Sequence, residues 1–290
     1  MSHRRTTSRY PTARTLYCTA LIAATVLVVA PAVSAAPVVS SVIGDFQPHR
    51  AVYAMSLESA RNSAKVVDVR GRMMFEWSDS CDGWTTEQRF QLRFSYSEGD
   101  EMNMTTNYTA WEARDGRDYH FSVRKLVNGE VDEEISGRAT LKADGSGGTA
   151  VFRKPEGETI ELPPQTMFPT AHTLAVLEHA RNDERFFVRQ VFDGSEAEGS
   201  TEVSTVIGKP DTTTADLPNA LADNPLIKGQ QAWPVRMAYF PTDPDESLPE
   251  YEMALRLMRN GIAQSMRIDY GDFVIKAVLE RIEALAKPPC

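Results

Sequence analysis

The sequence lacks the motifs by which enzymes are usually recognised. It contains no G-x-S-x-G, S-x-x-K or H-E-x-x-H, and no glycine-rich loop between a strand and a helix that could hold a phosphate. Two of its histidines, His172 and His179, are seven residues apart on a predicted helix, about 10.5 Å along its axis. This pair alone cannot bind one zinc ion. We therefore predict a protein that is not an enzyme and has no cofactor or metal.

Long apolar runs are also missing, apart from one near the N-terminus. Residues 16–30, LYCTALIAATVLVVA, follow four arginines and precede PAVSAAP. A basic segment, a short apolar stretch and small residues in this order are typical of a secretory signal peptide. A run of fifteen residues is also too short to span a bilayer comfortably as a helix. We predict that residues 1–35 are a signal peptide cleaved after Ala35, and that the mature protein makes no stable membrane insertion.

Beyond the predicted cleavage site, acidic residues outnumber basic ones. The full chain has 31 basic and 40 acidic residues, and four arginines leave with the signal peptide, so the mature chain has 31 − 4 = 27 basic residues and a net charge of 27 − 40 = −13. An acidic protein without a basic cluster is a poor candidate for binding nucleic acid or anionic membranes. We predict no nucleic-acid partner.

Cysteine is rare as well. Cys18 lies in the predicted signal peptide, so the mature chain keeps Cys81 and Cys290. An even number of cysteines in an oxidising compartment indicates a disulfide, and two cysteines allow one intramolecular pairing. We predict a structural disulfide between them, with two free thiols as the alternative. Neither cysteine has the near neighbour that a catalytic C-x-x-C requires.

Alternation of apolar and polar residues dominates what is present. It is clearest in residues 69–77 (VRGRMMFEW), 87–96 (EQRFQLRFSY) and 251–258 (YEMALRLM). A period of two indicates strands with one buried face, as antiparallel sheets have. We predict ten to fourteen strands in a long antiparallel meander, with one or two short helices. A sheet of this length would expose its edges unless it curled toward closure, which favours an open barrel or a strongly coiled sheet.

Turn and helix signals interrupt this alternation. Asn128-Gly129 and Asn260-Gly261 separate strand-like runs and favour type I′ hairpin turns. Residues 170–181 predict a short helix, which Thr170 can cap and which can act as a lid or plug against the sheet. The segment 272–286 fits both a strand and a helix, and we favour a long strand.

The segment between residues 192 and 233 bears on domain organisation. It is rich in Thr, Asp, Pro and Gly, and is typical of either a linker between domains or a long excursion within one domain. Because Cys81 and Cys290 lie on opposite sides of it, the predicted disulfide favours the excursion. We predict a single domain over residues 36–290.

Ten methionines remain in the mature chain. Thioether side chains adapt to irregular apolar shapes, both in cores and at permissive binding sites. The methionines can therefore simply fill the interior of a curled sheet, or they can line an apolar cavity for an acyl chain or an apolar peptide. The candidates on or near predicted inward faces are Met55, Met73, Met102, Met253 and Met266.

Three short segments of the chain form a recognisable set: His49-Arg50-Ala51, Cys81-Asp82-Gly83-Trp84, and Phe168-Pro169-Thr170 followed by His172. Together they resemble one known family, the EipB cell-envelope integrity family of Gram-negative alphaproteobacteria. The resemblance covers essentially the whole mature chain.

These signature residues also have structural interpretations. Asp82-Gly83 is expected to form a turn, and Trp84 an aromatic anchor beside the disulfide. Phe168-Pro169 is expected to mark the point where the chain enters its helix.

The resemblance implies further properties. Members of the family are periplasmic β-spiral proteins with a disulfide at the positions of Cys81 and Cys290, and they maintain the envelope and resist envelope stress without known catalysis. The implied fold is similar to the open barrels of the periplasmic proteins LolA, LolB and RseB, a likeness of fold that does not fix a ligand.

Three hypotheses of function follow. The first is a non-catalytic periplasmic protein that supports envelope integrity through protein contacts, with a helical-repeat protein as a candidate partner. The second is a carrier or sensor of lipid, lipoprotein or apolar peptide in an open-barrel cavity. The third, which we rank lowest, is an envelope hydrolase whose residues converge from distant strands.

Overall fold

Strands account for most of the chain. The computed structural model of the protein describes residues 39–62, 64–214, 217–241 and 247–290, and the predicted signal peptide and its cleavage site lie outside these ranges. The described residues belong to one compact unit over 37–290. Its strands are β1 (His49–Ala60), β2 (Val66–Asp79), β3 (Gly83–Tyr96), β4 (Glu101–Ala113), β5 (Asp118–Val127), β6 (Glu130–Leu141), β7 (Gly148–Lys154), β8 (Thr159–Leu162), β9 (Thr166–Met167), β10 (Phe186–Val191), β11 (Thr201–Ile207), β12 (Ala232–Phe240), β13 (Tyr251–Met258), β14 (Ala263–Asp269) and β15 (Phe273–Ala284). Its helices are α1 (Val39–Asp45), α2 (Pro169–Arg181) and α3 (Asn219–Ala222).

All of these strands belong to one sheet. β1 lies in its middle, between β2 and β15. From β2 the chain runs outward strand by strand to β8 at one edge, continues to β9 at the opposite edge, and returns strand by strand to β15. All neighbours are antiparallel except β9 and β10, which are parallel. The first and last strands of the chain are therefore central neighbours.

The sheet curls into a nearly closed barrel with one seam. The strands at the seam, β8 and β9, are consecutive in the chain and are separated by residues 163–165. The predicted fold class is confirmed. The fifteen strands in the described part of the chain exceed the predicted number because β8 and β9 span only four and two residues, too few to show a clear period.

The two Asn-Gly hairpins differ. Asn128 and Gly129 both have positive φ, 52° and 88°, as the predicted type I′ turn requires. In the second pair only Gly261 does, at 87°. Asn260 is buried, and its side-chain amide donates to the carbonyl of Leu226 at 2.8 Å. The type I′ prediction is wrong here because Asn260 is fixed by this tertiary contact.

Helix α2 begins one residue earlier than predicted, with Pro169 in its first turn and Phe168 at the N-cap position. Thr170 is not the cap, so that prediction is wrong. The carboxylate of Glu112 on β4 instead accepts hydrogen bonds from the backbone N–H groups of Thr170 and Ala171, each at 2.8 Å. A side chain 58 residues away in sequence thus satisfies the free donors at this helix end.

The structure also shows the conformation of the two segments whose sequence was ambiguous, residues 272–286 and the region between residues 192 and 233. Residues 273–284 form strand β15, as favoured, and β15 pairs with both β1 and β14. The region between residues 192 and 233 is not one continuous loop, because it contains β11 and α3. From it, Leu221 and Ile227 join the core.

Apolar side chains form three clusters on the inner face of the sheet. The first lies mainly against β1–β3 and β14–β15, the second packs α1 and α2 against β2, β3 and β10–β13, and the third lies within β4–β8. Val176, Leu177 and Ala180 of α2 belong to the second cluster together with Phe187 of β10. Helix α2 is therefore held inside the curled sheet.

Candidate functional site

An apolar cavity, here called the main cavity, lies inside the sheet beside the first two turns of α2. Its volume is about 380 Å³, within the range of about 300–1,000 Å³ that is usual for small-molecule sites. Its walls come from β1–β3, from β10 and β12–β15, and from α2. Both the outgoing and the returning halves of the chain therefore contribute to it.

Four of the five candidate methionines line the main cavity: Met55, Met73, Met253 and Met266. Met102 does not, and packs half-buried against the first core cluster. The interior is thus only partly filled by side chains. A role of the four methionines in binding stays a prediction.

Side chains with polar atoms are buried in the wall of the main cavity, among them two histidines and Trp77. His49, Trp77 and His172 are 1%, 3% and 6% exposed. His49 on β1 lies directly opposite Trp77 on β2, and His172 lies on the first turn of α2. Burial lowers the pKa of His49, and it lowers that of His172 to about 4, so both imidazoles are neutral at pH 7.

Formal charge is nearly absent from this wall. Asp193 is its single carboxylate among the described residues, and no lysine or arginine lines it. The Asp193 carboxylate accepts hydrogen bonds from the backbone N–H and the hydroxyl of Ser195, at 2.8 and 2.7 Å. The main cavity suits uncharged apolar matter.

A second, more polar cavity of about 330 Å³ adjoins the first. The two share Gln88, Phe90, Pro169 and Asp193 as wall residues. Helix α2 therefore enters the interior where the two cavities meet.

Glu112 lies in the wall of the adjoining cavity. Burial raises the pKa of Glu112 to about 7, against the opposing effect of hydrogen bonds from the N–H groups of Thr170 and Ala171. Nearby, the hydroxyls of Tyr108 and Tyr119 contact each other. A carboxyl group that titrates near neutral pH thus holds the end of α2.

The disulfide between Cys81 and Cys290 is present, with an S–S distance of 2.09 Å and a Cα–Cα distance of 5.7 Å. It joins the turn between β2 and β3 to the segment after β15. In that turn Asp82 is exposed, Gly83 begins β3, and the following Trp84 is buried. Trp84 also lines the adjoining cavity.

The other five signature residues, His49, Arg50, Phe168, Pro169 and His172, lie in three different places. Arg50 lies on the outer face, where it forms ion pairs with Glu76 and Glu283. Phe168 is fully buried at the entrance to α2. The remaining three, His49, Pro169 and His172, line the main cavity.

Comparison with known proteins identifies the family. The sequence profile described as EipB-like matches residues 41–286. The chain belongs to the EipB-like family. The resemblance seen in the sequence is thereby confirmed.

Relatives of this EipB-like protein come from Brucella abortus. The cell envelope integrity protein EipB of that organism is 31% identical over 240 residues, which are 81% of this chain and 83% of the relative. A crystal structure of a beta-barrel-like protein of a domain of unknown function, also from Brucella abortus, superposes with a TM-score of 0.77. It is 30% identical in sequence, and the match covers 83% of this chain and 99% of the other.

The described part of this EipB-like protein has neither a cluster of metal ligands nor a membrane-spanning helix. Within the described ranges, His, Cys, Asp and Glu side chains form no group of three or more that could hold a metal ion. No helix in that same part of the chain is both long and apolar enough to cross a membrane.

Sequence reasoning missed Glu112. It lies two residues after Ala110 on the inner face of β4, and both are buried. A carboxylate at an inward position of an alternating strand was the available signal, because buried carboxylates need a specific partner. The partner, the end of α2, is visible only in three dimensions.

Proposed function

We propose that this EipB-like protein is exported to the periplasm, where it maintains the integrity of the cell envelope and resistance to envelope stress without catalysing a reaction. The name of the Brucella abortus relative supports the envelope role. The predicted signal peptide and the disulfide support the periplasm, because disulfides persist in oxidising compartments.

The main cavity supports one mode of action, the binding of an apolar ligand. Its wall is mostly apolar, has methionines from five different strands and is bordered on one side by α2. Cavities of this volume and composition are typical of small-molecule sites. The protein acts in this proposal as a carrier or sensor of lipid, lipoprotein or apolar peptide.

Gene deletion and complementation test both parts of the proposal. Deletion is expected to make cells sensitive to detergents and to cell-wall antibiotics. A Met253→Trp variant, which fills the cavity, should fail to restore resistance. Glu252→Trp is the matched control, because it places the same side chain on the exposed outer face of the same strand.

The outcomes separate the two parts. Unchanged sensitivity of the deletion strain would overturn the envelope role. Equal rescue by both tryptophan variants, present at equal levels, would overturn ligand binding while leaving the envelope role intact.

A second candidate mode, contact with a protein partner, is favoured by an apolar pair on the outer face. Phe186 and Val206 are 61% and 50% exposed and lie opposite each other on β10 and β11. Exposed apolar neighbours can mark an interaction site. A helical-repeat protein of the periplasm is the candidate partner. If this mode operates, Phe186→Ser combined with Val206→Ser should abolish complementation without changing the melting temperature.

A further inference from the structure

The polarity of the interior changes along two rows of paired residues on the inner face of the sheet. In one row Met73 of β2 pairs with Phe90 of β3, which pairs with Thr106 of β4. The neighbouring row continues from Gln88 on β3 to Tyr108 on β4. Met73 lines the main cavity, the two residues of β3 line both cavities, and the two residues of β4 line the adjoining cavity. Neighbouring strands are about 4.8 Å apart, so the wall changes from a thioether to hydroxyls over roughly 10 Å.

Uncharged polar groups of the adjoining cavity are accessible. Thr86, Gln88 and Thr106 lie at inward positions of β3 and β4 and line this cavity. Each of them is only half-buried, and its remaining surface therefore faces the cavity. A threonine hydroxyl and a glutamine amide both donate and accept hydrogen bonds. They therefore complement a molecule with several hydroxyls, each of which also donates and accepts.

A charged head group of either sign would meet a like charge in the adjoining cavity. Lys125 lines it, directly opposite Glu133 on the neighbouring strand, and Glu196 lines it as well. The ammonium of Lys125 pairs with Asp132 at 2.9 Å, and this bond, together with the charges of Glu133 and Glu196, raises the pKa of Lys125. A carboxylate or phosphate would enter beside Glu133 and Glu196, and an ammonium group would enter beside Lys125. An uncharged head group meets neither repulsion.

The other two carboxylates of this wall already have hydrogen-bond donors. Glu112 accepts from the backbone N–H groups of Thr170 and Ala171. Asp193 accepts from the backbone N–H and the hydroxyl of Ser195. An added ammonium group would gain less from carboxylates that are already paired, so these two residues do not favour a cationic head group.

The apolar cavity and the hydroxyl-lined cavity meet where α2 enters the interior. Gln88, Phe90, Pro169 and Asp193 belong to the walls of both. An apolar chain gains from burial in the main cavity, whereas a polar head group would lose its hydrogen bonds there. A molecule that has both parts can therefore occupy the two cavities together.

We infer that the two cavities together bind a single-chain amphiphile, with its alkyl chain in the main cavity and an uncharged, hydroxyl-rich head group in the adjoining cavity, against Thr86, Gln88 and Thr106. Glycosylated alkyl chains and acylglycerols share this chemistry. The inference rests on the proposed ligand-binding function, and from the ligands named there it selects a lipid.

Binding to the unchanged, oxidised protein tests the inference without any variant. The probes share an octyl chain: octyl glucoside, 1-octanol, octanoate and octyltrimethylammonium, each below its aggregation limit at pH 7. Titration calorimetry is expected to show octyl glucoside binding about tenfold more tightly than 1-octanol, because its additional hydroxyls are paired in the adjoining cavity. The two ionic probes should bind more weakly than the glucoside. 1-O-octylglycerol then distinguishes the sources, since the tighter of it and octyl glucoside identifies a glycerol or a sugar head group.

Variants locate the head group and the chain. Thr106→Val removes one hydroxyl from the wall, and it should weaken octyl glucoside about three- to tenfold while leaving 1-octanol unchanged. Thr109→Val is the matched control, because it makes the same change on the exposed outer face of the same strand, and it should affect neither probe. Met253→Trp, which fills the main cavity, should weaken both probes by a similar factor.

The outcomes are distinguishable. Equal binding of octyl glucoside and 1-octanol to the unchanged protein overturns the inference, because water then serves the adjoining cavity as well as the head group does. Tighter binding of either ionic probe than of the glucoside overturns it too, in favour of a charged head group. Both results leave apolar ligand binding standing. Failure of every probe to bind overturns the inference together with the ligand-binding function, and the envelope role is then judged by the deletion strain alone.

Discussion

Glu112 makes the stability of the protein depend on pH. The pKa of its carboxyl is raised from 4.5 to about 7 by burial. Between these two values the folded protein binds more protons than the unfolded chain, so the free energy of unfolding falls as the pH rises through this window. A shift of this size corresponds to about 3 kcal/mol at most.

The variant Glu112→Gln tests this assignment. The difference in unfolding free energy, wild type minus variant, should decrease by up to about 3 kcal/mol between pH 4.5 and pH 7.5. Urea denaturation across that range measures it. The opposite contribution of His172, with its lowered pKa, is present in both proteins and cancels. A constant difference would show that Glu112 titrates normally.

The disulfide is the second prediction at the scale of residues. Cys81 and Cys290 are 209 residues apart, and the chain-entropy model gives roughly 5 kcal/mol for a loop of this length, an upper figure. Cys81→Ser and Cys290→Ser should each lower the melting temperature by the same amount, because each removes the same cross-link. Reductant should lower the melting temperature of the wild type and should not change the melting temperature of either variant. A wild type that is insensitive to reductant would contradict this.

Among single residues, the sequence predicted the disulfide correctly and the cap of α2 wrongly. The count of cysteines led to the disulfide because only two remain in the mature chain. The cap of α2 was assigned to Thr170, the nearest residue of suitable type, whereas the structure uses Glu112. Local preferences could not reveal this, since the two residues meet only through the curl of the sheet.

Among the elements, α2 depends on its buried face. Leu177 is completely buried in the cluster that holds α2 against β10–β13. Leu177→Ala should reduce the free energy of unfolding by about 2–5 kcal/mol, through lost burial and the cavity left behind. Glu178→Ala, one residue further along the helix and outside that cluster, should change it by about 0.5 kcal/mol or less. Urea denaturation compares the two, and equal effects would mean that α2 is not packed as described.

Strands were predictable from the sequence where one face of the strand is buried and the other is exposed, because such strands alternate apolar and polar residues. The alternating segments 69–77 and 87–96 lie in strands β2 and β3. Strand β11 was not predicted because its inner face does not alternate clearly in the sequence. Thr205, at the centre of that face, is polar and yet fully buried. The second Asn-Gly hairpin was misassigned because the amide of Asn260 binds a distant carbonyl.

The order of strands in the whole molecule was only partly predictable. A meander was expected because the strands are neighbours in sequence. Nothing local indicates that the first strand pairs with the last, or that the chain crosses to the opposite edge after β8. Both features depend on the curling of the sheet into a nearly closed barrel. The main cavity depends on this curling too, because its walls come from both halves of the chain.

Closure with a single seam predicts how amide protection is distributed over the molecule. β1 is hydrogen-bonded on both sides, to β2 and β15, whereas among the described strands β8 pairs with β7 alone and β9 with β10 alone. Amides that face an open edge exchange through local opening, and those of central strands require larger unfolding. Hydrogen exchange followed by mass spectrometry should therefore show peptides of β8 and β9 exchanging at least about tenfold faster than those of β1 and β15, with β14 as an internal reference. Equal protection of β8 and β1 would mean that the seam is closed by pairing in solution. The interior would then be reached through an end of the barrel and not along its side.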